Sequence, residues 1–179
     1  MITFLGDQFL TKLFHKGHLE CRLKAEGFEV CAHPSIPIDS PLSLSKSFLE
    51  KSSLILILFQ PRHFSTLRDP SKFIDFLKSL FDALFGLGVD ANKIAYVFPL
   101  KGIDQKLSPL DFAVKDACKL YGIFYALPGN IRIQKVLILR ASSKKLKPFV
   151  LFLITLCKQF FLTGKLSDLS LSKWVNKND

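Results

Sequence analysis

The chain has 179 residues, 49% of them hydrophobic and 22% charged, with a formal net charge of +10. That length suits one domain with a real core, and that balance excludes a disordered chain and a disulfide-dense scaffold. The charge is unevenly placed: residues 1–128 hold 15 Lys and Arg against 13 Asp and Glu, and residues 129–179 hold 10 against 2.

The last third is therefore the basic part, expected to pack on a single α/β domain spanning 1–179. Such asymmetry suits an anionic partner: an acidic protein, nucleic acid or lipid headgroups. It also suits a plain solvated lysine surface. The chain holds 18 Phe against 3 Tyr and 1 Trp, so most of its aromatic surface lacks a polar handle and belongs in a core or an apolar contact. Cys21, Cys31, Cys118 and Cys157 show no CxxC pairing, and with His15, His18, His33 and His63 they form no metal-ligand pattern. Reduced thiols and no metal are expected. The apolar start is short, lacks a basic region before it and meets Asp7 at once, unlike a secretory signal. No run reaches the roughly 18–20 apolar residues of a membrane span. A cytoplasmic protein is expected.

The elements alternate along the chain. Ile2–Leu5 reads as a buried strand. A helix follows from about Phe9 to Glu26, with a possible break at Gly17 and with Gly27 as its terminal glycine. Phe28–Ala32 reads as a short strand. Pro34, Pro37 and Pro41 make His33–Leu42 a loop. Ser43–Lys51 is a short helix. Leu54–Phe59 is a continuous apolar run, as in a strand covered on both faces. Ser71–Phe85 is the clearest amphipathic helix, closed by Gly86 and Gly88. Ile94–Phe98 is a strand, Ser108-Pro109 opens a helix to Tyr121, and Ile123–Leu127 is a strand. Ile131–Leu139 reads as a further extended segment. Ser142 or Ser143 caps a last helix to about Leu162, and Trp174 packs a short tail.

Alternation of this kind implies a three-layer α/β fold with a mainly parallel five-stranded sheet. Ligands of such sheets bind beyond the carboxyl ends of the strands. Here those ends are Gly6-Asp7-Gln8, His33–Pro37, Gln60–His63, Pro99–Asp104 and Pro128–Asn130.

The order of elements, together with Gly6-Asp7 closing the first strand, resembles the SGNH/GDSL hydrolase family over roughly residues 1–127. The resemblance implies the strand order 2-1-3-4-5, shared with flavodoxin-like folds, and a serine nucleophile after Gly-Asp. Gln8 stands at that serine's place, and a carboxamide is not a nucleophile. The family's second-block glycine is absent from Ala32–Leu42, and the block after Phe59 reads Gln60-Pro61-Arg62-His63. No histidine follows His63, so the general base of the family's final Asp-x-x-His is missing and Arg140–Lys147 is basic instead.

Asp7 is the leading polar candidate, either as a helix cap or paired with His63 as an acid–base couple. Gly6, Gln8, Gln60, Arg62 and Asn130 would line a binding cleft. Arg132, Arg140, Lys144, Lys145 and Lys147 would meet an anion. No glycine-rich phosphate loop follows any strand, so no nucleotide cofactor is expected. No helix-turn-helix, ribonucleoprotein or zinc pattern accompanies the lysines, which weakens a nucleic-acid partner. The last helix is apolar nearly all round, which weakens a membrane-surface role. The expectation is a non-catalytic SGNH-like protein that binds an unknown protein or anion through the strand-end cleft or the basic third. The alternative is an ester hydrolase with catalytic groups rearranged around Asp7 and His63.

Overall fold

Strand β1 (Ile2–Gly6) is an unbroken buried run, and it organises the sheet by pairing on both edges. The computed structural model describes residues 1–16, 18–34, 36, 44, 46–59, 70–97, 109–126 and 143–166; for residues 8, 9, 12, 16, 34, 48, 70 and 143–148 it describes the backbone alone. With β2 (Val30–Pro34), β3 (Leu54–Leu58), β4 (Ile94–Val97) and β5 (Phe124–Ala126), the order is β2-β1-β3-β4-β5. Every pairing is parallel. The fold class and strand order are those expected, with a wholly parallel sheet among the described residues.

Among the described residues five α-helices lie between the strands, α1 (Gln8–Lys16), α2 (Leu19–Ala25), α3 (Lys46–Glu50), α4 (Pro70–Gly86) and α5 (Pro109–Leu120), and α6 (Ser143–Thr163) follows β5. The first expected helix is thus two helices. They meet at His18, which takes a left-handed backbone with φ 51°. The second strand is also corrected. It starts at Val30 rather than Phe28 and absorbs His33 and Pro34 from the expected loop, because its register tracks β1 from Ile2↔Val30 to Gly6↔Pro34. Proline is tolerated there because β2 is an edge strand and Pro34 is its last residue. Ile131–Leu139 and Trp174 lie outside the described residues.

Side chains alternate along each strand and so build two cores. Ile2, Phe4, Leu54, Leu56 and Leu58 pack with Leu10 and Leu13 of α1, Leu19 and Leu23 of α2, and Phe149, Val150 and Leu153 of α6. Leu5, Ile55, Ile57, Phe59 and Tyr96 pack with Leu49 of α3, Phe73, Leu77, Leu80 and Phe81 of α4, and Val114 and Cys118 of α5. The chain winds from β1 to β2 in one direction and from β2 through β3 to β5 in the other. Crossovers of one hand then require α1 and α2 on one face and α3, α4 and α5 on the other. The packing obeys that rule. Lys158 of α6 also reaches Glu26, just past α2, at 2.6 Å, so this lysine ties two helices of one layer together.

Three helices end in the same glycine turn. Gly27, Gly88 and Gly122 have φ of 84°, 81° and 67°. The next amide in each case reaches back to close the helix: Phe28 to Leu23 O at 3.0 Å, Val89 to Leu84 O at 3.0 Å, and Ile123 to Cys118 O at 2.9 Å. A left-handed glycine with an apolar residue after it satisfies the last carbonyls and turns the chain into the next strand. All three turns lie at the amino end of the sheet.

At the other end Gly6 is wedged. A β-carbon on it would strike the Leu58 carbonyl oxygen and lie 2.9 Å from Leu10 Cβ. Both neighbours are fixed, one by strand pairing and one by burial. Gly6→Ala is therefore expected to lower unfolding free energy in urea by about 1–3 kcal/mol, the usual cost of overpacking. An unchanged urea midpoint would show that β1 and α1 are not held this closely.

Candidate functional site

The order β2-β1-β3 makes the carboxyl ends of β1 and β3 the point where consecutive connections leave for opposite faces. The crevice between them is the default ligand position in an open parallel sheet. Asp7 stands there, immediately after β1 and before α1, and is only 9% exposed. Its carbonyl accepts from the Leu10 amide at 3.0 Å, which anchors the first turn of α1. Gln8 is the first residue of α1. Gln60, Arg62, His63, Asn130, Arg132 and Arg140 lie outside the described residues. Lys144, Lys145 and Lys147 fall in the first two turns of α6, which carries no acidic residue in its first turn. Cations there oppose the helix dipole, whose positive end is the N-terminus.

Three polar residues that the sequence does not single out join Asp7. Tyr96 of β4 is fully buried, and its hydroxyl donates to the Phe59 carbonyl at 3.1 Å, just past β3. Tyr125 stands opposite Tyr96 in the strand register, and their rings stack at 6.1 Å. Asp111, in the first turn of α5, is 1% exposed. Burial holds the Tyr96 phenol well above its usual value, and Cys118, Tyr125, Asp7 and Asp111 push it the same way. Burial likewise raises Tyr125, with Asp111 and Cys118 adding to it. Each influence has one cause: in a poorly solvated region a phenolate is costly, and more so beside carboxylates. Both tyrosines therefore remain hydroxyl donors at neutral pH.

Asp111 was legible in one respect. It shares a helical stripe with Val114 and Cys118, at i, i+3 and i+7, and all three are buried. An acidic residue on an apolar stripe signals a buried carboxyl. Tyr96 was a hydroxyl inside the otherwise apolar run Ile94–Val97.

The described strand ends supply acids and hydroxyl donors but no activated nucleophile. Burial pushes the Cys118 and Cys157 thiols up to about 12, so both stay protonated and unreactive. Ser52 is at the opposite end of the sheet, 2.6 Å from the Thr3 hydroxyl. His33 of β2 is half-buried and lies opposite Leu5 in register. That places it roughly 8 Å from Asp7, two residues along and one strand across. Among the described residues no group of three or more His, Cys, Asp or Glu is placed to hold a metal ion, and no helix is long and apolar enough to cross a membrane. No family model, no curated protein and no solved structure matches the chain.

The buried phenols set a pH dependence. A raised folded value means the native state keeps its proton while the unfolded chain, with phenols near 10.0, loses it. This stabilisation is whole below about pH 10 and is lost as pH rises through the folded values. A titration followed by phenolate absorbance is expected to show Tyr96 and Tyr125 un-ionised at pH 10, then ionising together with loss of the native circular dichroism signal. Ordinary titration of every tyrosine around pH 10 in the folded protein would contradict this burial.

Proposed function

We propose that this chain is a non-catalytic binding protein of SGNH-like architecture, with its ligand over the carboxyl ends of β1 and β3. The observation that carries the reading is Asp7, buried at the strand-order reversal and, like Asp111, within electrostatic range of the Tyr96 phenol, with Gln8 where a nucleophile would follow. The SGNH-like part rests on Gly6-Asp7 closing the first strand and on the order β2-β1-β3-β4-β5. The non-catalytic part rests on the missing nucleophile and on the absence of any histidine after His63. Buried carboxyls favour a ligand that donates hydrogen bonds, such as an amine or a polyol, over a phosphate.

The basic third offers a second surface. Lys144, Lys145 and Lys147 crowd the start of α6 against the helix dipole, an arrangement that an anionic partner relieves.

Hydrolysis of short acyl esters, measured for the wild type and Asp7→Ala, separates binding from catalysis. Both are expected to match the buffer rate. Hydrolysis that depends on Asp7 would overturn the proposal and favour a hydrolase in which Asp7 works with His63 or His33. A cleft ligand at a hundredfold excess over its Kd is expected to raise the wild-type melting temperature by about 5–10 °C. The same ligand should raise that of Asp7→Asn by markedly less.

A further inference from the structure

A pocket of about 680 Å³ lies beside β5, away from Asp7. Its walls come from the turns that enter β4 and β5, from α5 and from the end of α6. These are amino-end turns, so the pocket lies at the end of the sheet opposite Asp7. β5 is also the last strand of the order, which puts the pocket at a sheet edge.

The lining has two chemistries. Ile123 and Tyr125 from one face of the sheet and Phe124 from the other line it around the β5 edge with apolar and aromatic groups, and Lys115, Lys119 and Lys165 give it charge. Among the described residues no Asp or Glu lines it. The three lysines are exposed, and none forms an ion pair among the described residues. Lys115 and Lys119 are four apart on one helix, so two like charges share one face and repel. The carboxyl ends of α5 and α6 reach this pocket, each contributing about half a negative charge. Three lysines outweigh them and leave about +2.

We propose that this pocket binds a phosphate monoester carrying a planar or apolar body. A phosphate monoester brings about −1.5 to −2 charges at neutral pH, which matches the excess. The volume falls within the 300–1,000 Å³ range roughly typical of small-molecule sites. The apolar groups around the β5 edge receive the body while the lysines hold the phosphate. A concave site of this size suits a small molecule better than a flat protein surface.

The probe is 4-methylumbelliferyl phosphate, titrated into the full-length protein and followed by amide chemical shifts. Its uncharged parent phenol and inorganic phosphate serve as the two half-ligands. Saturable shifts are expected at Gly122–Tyr125, with affinity falling as salt is added. The double variant Lys115→Ala/Lys119→Ala is expected to bind at least about tenfold more weakly, and Lys119→Arg close to wild type. Each half-ligand should bind more weakly than the whole. These lysines are exposed, so an unchanged melting temperature will verify that the variants fold. The proposal is overturned if no saturable shift occurs at Gly122–Tyr125, if the double alanine variant binds as well as wild type, or if the parent phenol matches the phosphate.

Discussion

The close approach at Gly6 fixes the rest of the structure. β1 pairs residue for residue with β2 on one side and β3 on the other, so it is the strand on which the sheet reverses direction. At its end the backbone passes against the Leu58 carbonyl and the Leu10 side chain with no space for a β-carbon. Sheet, β3 and α1 therefore meet at one residue. The next residue, Asp7, inherits its position from that contact. Its place at the end of β1 follows from that backbone packing.

The two ends of the sheet are built differently. At the amino end, Gly27, Gly88 and Gly122 close three helices with short turns whose amides and carbonyls are satisfied by the chain itself. Thr3 and Ser52 satisfy each other there as well. At the carboxyl end, polar groups collect instead: Asp7 after β1, the Tyr96 hydroxyl against Phe59, and Asp111 at the start of α5. The polar groups collect at the carboxyl end, the end where open parallel sheets bind their ligands.

The fold was largely legible because its signals are local. Leu54–Phe59 is apolar at every position, which only a strand covered on both faces explains, and Ser71–Phe85 repeats its Phe and Leu at helical spacing. Gly27, Gly88 and Gly122 marked the ends of three helices. The edge strand β2 was less legible: its limits are set by pairing with β1, which no local pattern encodes, and so His33 and Pro34 read as loop. The division of the first helix at His18 was only hinted at by Gly17. The candidate site was legible in part. Asp7 is visible because it follows Gly6 at a strand end. Tyr96, Tyr125 and Asp111 come from three separate elements, and only tertiary packing brings them together. The lysine-lined pocket is of the same kind, since Lys115, Phe124 and Lys165 are brought to one place by α5, β5 and α6. The uneven charge in the sequence points to the last third, whereas two of this pocket's three lysines precede it.

A ligand held at the Asp7 end of the sheet must perturb the ends of β1 and β3. Amide chemical-shift mapping of the protein against a small-molecule extract of its native host tests it most directly. Shifts are expected to saturate at Gly6, Asp7, Phe59 and Tyr96 and to be lost in Asp7→Asn. Shifts confined to the start of α6 or to β5, with the ends of β1 and β3 unmoved, would contradict it.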